Sequence, residues 1–62
     1  MTTAFDVVLK EIEERRDDIA QALISGAAKE FADYRELCGE IRGLSRTHSF
    51  IKDLLRKMEN DE

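Results

Sequence analysis

The chain has 62 residues, no proline and one cysteine, with 39% charged residues, 42% hydrophobic residues and a net charge of −4. That length limits it to one small domain, which buries only about 60% of its unfolded surface; the single cysteine, Cys38, excludes an intrachain disulfide. The acidic balance argues against general nucleic-acid binding, and the lone thiol fits a reducing compartment.

A metal staple is disfavoured as well. Cys38 and His48 are ten residues apart on one expected helix, and at about 100° per residue they point in separated directions. Self-association or a partner protein is then the expected source of added stability. Ala, Leu, Glu, Lys and Arg dominate, the profile of long solvent-washed helices. The apolar residues are too regular for a disordered tail. No apolar run approaches the ~18 residues of a membrane span. The opening MTTAFDVVLKEIEERR lacks the basic and apolar regions of a signal peptide. The expectation is a cytosolic protein, not secreted and with no membrane partner.

A first helix is expected over about residues 3–24. Thr2 or Thr3 suits its N-cap, with Asp6 in the first turn, where negative charge favours the helix dipole. Phe5, Leu9, Ile12, Ile19 and Leu23 hold one face, with Arg16 at the matching position between Ile12 and Ile19. Glu11, Glu13, Glu14, Asp17 and Asp18 hold the other. Glu11 can pair with Arg15, but Glu13 with Asp17 and Glu14 with Asp18 repel. Such a helix depends on its apolar face being covered.

Ser25-Gly26 is the break. Gly26 suits the positive φ of a helix C-cap, and Ser25 can cap the next helix. That second helix is expected over about residues 27–59, supported by the pairs Lys29/Asp33 and Asp53/Lys57. Tyr34, Leu37, Ile41, Leu44, His48, Ile51, Leu55 and Met58 keep steps of three and four along it, the seam of a helix packed on other helices. The fold class read from this is all-α: a two-helix antiparallel hairpin that oligomerises through coiled-coil packing. The alternative is one continuous helix that absorbs the four-residue shift in register.

A tight turn at 25–26 sets a register. Facing positions would total about 51 at one residue per 1.5 Å, placing Phe5 near Arg46 and Ile12 near Gly39. The first helix would then end opposite His48, leaving His48, Phe50, Ile51, Leu54, Leu55 and Met58 as an uncovered interface. A looser turn or a tilted first helix would cover them instead. Gly39 and Gly43 each cost about 1 kcal/mol relative to Ala in a helix, so they predict a close backbone neighbour, with a kink as the alternative. Tyr34, Leu37, Gly39, Ile41, Gly43 and Leu44 form the expected helix–helix packing set.

Residues able to carry chemistry are few. His48 reads as a polar residue that sets seam register, or as a pH-sensitive interface group. Arg16 is expected to reach Glu40 or Glu36. Cys38 reads as a small buried residue, with no Lys or His close in sequence to activate it. Arg42, Arg46, Lys52, Arg56 and Lys57 make a basic segment opposed only by Asp53. Only Phe50 could stack a base there, so nucleic acid is disfavoured and the acidic first helix is the simpler target. No catalytic triad, HExxH or phosphate loop is present, and no cofactor is implied; the expectation is no enzyme activity.

Residues 25–58 carry SGAAKEFADYRELCGEIRGL at 25–44 and most of IKDLLRKME at 51–59. A Gly-Ala turn, a Tyr-Arg entry, a GxxxG pair ending in Gly-Leu and an Ile-Lys-Asp-Leu tail resemble small α-helical proteins of tailed bacteriophages. The resemblance implies a non-enzymatic component of virion assembly in the host cytoplasm, with itself as a homo-oligomer or a larger virion protein as partner. It brings no catalytic residues. A small phage module that binds and redirects a host protein is the second class it leaves open.

Overall fold

The computed structural model describes residues 3–60. Among them there are two helices and no strand: α1, Ala4–Ile24, and α2, Phe31–Asn60. Glu13 meets His48 and Arg16 meets Ser45, so the helices run antiparallel. The hairpin is a slab of about 50 × 19 × 13 Å.

Thr3 caps α1 from extended backbone, φ −103° and ψ 169°. The Asp6 backbone N–H donates to Thr3 Oγ1 at 3.2 Å, and the Thr3 N–H donates to Asp6 Oδ2 at 3.0 Å. This reciprocal box satisfies two otherwise orphaned groups. At the other end Gly26 takes φ +82°. Its N–H donates to the Leu23 carbonyl and that of Ala27 to the Ala22 carbonyl. These are the two bonds of a Schellman stop, so Gly26 has the capping role its sequence position predicts.

The stop also corrects the expected turn. Past the stop, residues 27–29 are not helical. The chain crosses through residues 25–30, and α2 begins at Phe31, with the Tyr34 N–H on the Glu30 carbonyl as its first bond. Ser25 does not cap α2; its hydroxyl donates back to the Ala22 carbonyl at 3.0 Å. Lys29 lies before the helix and so cannot support it through an i,i+4 pair.

The longer connection shifts the register. Facing positions total 55 at Arg15/Glu40 and 61 at Glu13/His48 and Arg16/Ser45, not about 51. The start of α1 therefore reaches the last turns of α2, where Asp6 and Leu9 border the same shallow groove as Leu55, Arg56 and Glu59. Residues 48–58 do not overhang. The projecting part of α2 is at the turn end, residues 31–36, all exposed.

Ile12 and Ile19 are the buried residues of α1, and α2 has none. Leu37, Ile41, Leu44, His48, Ile51 and Leu55 are half-buried along the inner face of α2, while Tyr34 and Met58, the seam's outer members, are exposed. The seam is thus present but thinly covered. Gly39 and Gly43 are exposed, and a Cβ added to either meets nothing within 4 Å. The expectation that α1 closes on them is overturned: they lie away from the seam, and α2 runs unbroken through both.

Candidate functional site

The site is built from the two broad sides of the slab, each spanning both helices and here termed the Arg15 edge and the His48 edge, and from the outer face of α2. On one edge, Arg15 Nη2 reaches Glu40 Oε1 at 3.0 Å. On the other, Arg16 Nη1 donates to Ser45 Oγ at 3.3 Å and Glu13 Oε2 lies 3.4 Å from His48 Nε2. Adjacent arginines separate because one residue is a rotation of about 100°. Glu40 is therefore the partner of Arg15, not of Arg16 as expected, and Glu36 takes neither.

The two edges differ in chemistry. The His48 edge carries Arg16 and Ser45, Glu13 and His48, then a groove in which Asp6, Lys52, Arg56 and Glu59 surround the half-buried Leu9 and Leu55. His48 Nε2 is sealed from solvent and has no hydrogen-bond partner. Glu13 Oε2 lies near it without hydrogen-bond geometry.

The Arg15 edge turns apolar toward the open end. Val8 is two turns before Arg15 on the same side of α1, and Leu54 and Met58 stand above Glu40 on the same side of α2. Val8 is 42% exposed, Leu54 38% and Met58 52%. Phe5, Ile51 and Leu55 border them from the seam; Phe5 is exposed, and Ile51 and Leu55 are half-buried. Of the six residues expected to form the interface, His48 belongs to the polar edge, Ile51, Leu54, Leu55 and Met58 to this end of the slab, and Phe50 to the outer face of α2. The expected register left Val8 and Phe5 out of this surface, because it stopped α1 opposite His48, short of Leu54 and Met58.

The outer face of α2 holds Phe50 beside Arg42, Arg46, Ser49 and Asp53 in a shallow depression. Asp53 pairs with Arg56 at 3.6 Å rather than with the expected Lys57. At the turn end Phe31 stacks on Tyr34, ring centroids 6.3 Å apart, with the Arg35 guanidinium 6.0 Å from the Phe31 ring. Hydrogen bonding with Cys38, and then the negative charge of a Cys38 thiolate, push the Tyr34 hydroxyl above its ordinary pKa. Cys38 itself is half-buried, not sealed in a core.

Among the described residues no group of three or more His, Cys, Asp or Glu is placed to hold a metal. No described helix is long and apolar enough to cross a membrane. What the surface offers is large apolar side chains on a rigid helical frame. The chain matches no family model, no curated protein and no solved structure.

Proposed function

We propose that the chain is a non-enzymatic assembly protein of a tailed phage, acting in virion morphogenesis through helix–helix contacts with itself or a larger virion protein. The observation that carries the protein-contact part is the imbalance between core and surface. Ile12 and Ile19 form the buried core, while Phe5, Val7, Val8, Ile24, Phe31, Tyr34, Phe50, Leu54 and Met58 are exposed. Exposed apolar surface on this scale, on so small a frame, marks a surface that another chain covers. The virion part rests on the resemblance of residues 25–58 to small helical phage proteins. Under this reading the protein works in the host cytoplasm, and His48, Phe50, Ile51, Leu54, Leu55 and Met58 belong to or border the contact surface.

Mass spectrometry of purified assembly intermediates and mature particles tests it. The reading predicts the chain in many copies at fixed stoichiometry in one or both. Its absence from both, with co-purification of a host protein, would replace the assembly role by that of a host-directed binding module.

A further inference from the structure

We infer that the occupant of the Arg15 edge, with its apolar open end, is a second copy of this chain, related by a twofold axis parallel to the helices, so that α1 of each copy lies against α2 of the other. This rests on the protein-contact reading above and names its partner; it does not depend on the virion role.

The first argument is the one-sidedness of the slab. On the His48 edge the exposed groups are charged or polar, and Leu9 and Leu55 beside them are half-buried. The Arg15 edge carries Val8, Leu54 and Met58 at its open end. A hairpin that exposes large apolar groups at one end of one edge can complete its packing as half of a four-helix bundle. An axial twofold brings the apolar ends of both copies together, since each helix keeps its direction. The alternative twofold, across the helices, sets the apolar end of one copy against the Arg15/Glu40 pair of the other.

Charge supplies the second argument. On α1 the edge stripe is Val8, Glu11, Arg15 and Asp18, spaced at three and four. In the axial arrangement the stripe holding Glu11 and Asp18 lies along α2 of the other copy. An arrangement with α1 on α1 would face Glu11 and Asp18 with themselves, which is repulsive.

Size is the third. The covered length of the slab is α1, ~31 Å for 21 residues, and its breadth is about 19 Å. That face gives about 1,200 Å² over two copies, at the lower bound of a stable interface. Gly43 and Thr47 keep the middle of this α2 edge low: a Cβ on Gly43 would meet nothing within 4 Å, and the Thr47 hydroxyl folds back onto the Gly43 carbonyl at 2.9 Å. A second helix can approach there without displacing a large side chain.

The test combines mass and cross-linking. Sedimentation equilibrium of the full wild-type chain should give twice its 7.1 kDa; a monomer, or any larger assembly, overturns the proposal. Two single-cysteine chains, Val8→Cys and Leu54→Cys, each also carrying Cys38→Ser, are then mixed and oxidised. The axial dimer predicts a disulfide between unlike chains, well above the yield in either chain alone. Predominant like-with-like disulfides, or none from a mixture that sediments as a dimer, overturn the geometry. Leu54→Glu should sediment as a monomer while Phe50→Glu, on the outer face, remains a dimer. A chain that is dimeric yet absent from particles would defeat the virion role and leave this inference standing.

Discussion

Glu13 Oε2 stands 3.4 Å from His48 Nε2, and that nitrogen is closed to solvent without a hydrogen bond. The contact lies where the seam of α2 is interrupted by its one polar member. A buried polar atom left unpaired costs about 1–3 kcal/mol. His48→Leu removes it and extends the apolar seam between Leu44 and Ile51. We expect the variant to be more stable by about 1 kcal/mol, a rise in Tm of several degrees for a domain this size. Thermal melting followed by circular dichroism checks this, and a fall in Tm would show that the Glu13 contact outweighs the unpaired nitrogen.

Ile12 and Ile19 should be the most sensitive positions. They are 8% and 3% exposed and form the buried core of α1. Truncating a buried Ile to Ala costs about 2–5 kcal/mol, a large fraction of what so short a chain can hold. Ile19→Ala should lose most of its helical signal at 25 °C, whereas Ile24→Ala, at a residue 78% exposed, should keep it.

The glycines divide by environment. Gly26 sits at φ +82°, which a side chain resists. Gly26→Ala should destabilise the hairpin by about 1 kcal/mol. Gly39 is helical with open space around it, so Gly39→Ala should stabilise by a similar ~1 kcal/mol. Urea midpoints of the two variants should therefore move in opposite directions.

The α1 cap gives a pH dependence with a definite sign. The backbone N–H of Thr3, then its hydroxyl, hold the Asp6 carboxyl below its ordinary pKa. A depressed carboxyl contributes stability that is present above its unfolded pKa and lost as pH falls through its folded one. The contribution is complete above about pH 5 and declines through the acid side of the ordinary carboxylate range. Amide exchange at residues 4–7 should accelerate below about pH 4 beyond the intrinsic rate, and Asp6→Asn should lack that component. Thr3→Ala should cost about 1 kcal/mol at neutral pH.

Much of this was legible in the sequence. The all-helical class, the Thr3 cap, the Gly26 stop and the half-buried run from Leu37 to Leu55 all follow from residue type and spacing. The register does not. Ala27, Ala28 and Lys29 are good helix formers, and nothing in their identity shows that the Ala27 N–H is spent on the Ala22 carbonyl. The chain stays out of a helix until Phe31, which lengthens the connection and moves α1 along α2. With it, Val8 and Phe5 join the surface, and the expected overhang at residues 48–58 disappears. Arg15 and Arg16 were exchangeable for the same reason: which one meets Glu40 depends on a register that local pattern does not fix. Gly39 and Gly43 pointed to a close neighbour, but within the chain that neighbour is absent.

If a second chain completes this fold, Tm depends on chain concentration. Association with a partner copy stabilises by mass action. We predict that Tm of the wild-type chain rises steadily across a roughly hundredfold increase in concentration, and that Leu54→Glu flattens the rise. A wild-type Tm that stays constant over that range, with cooperative unfolding at its lower end, would contradict the account.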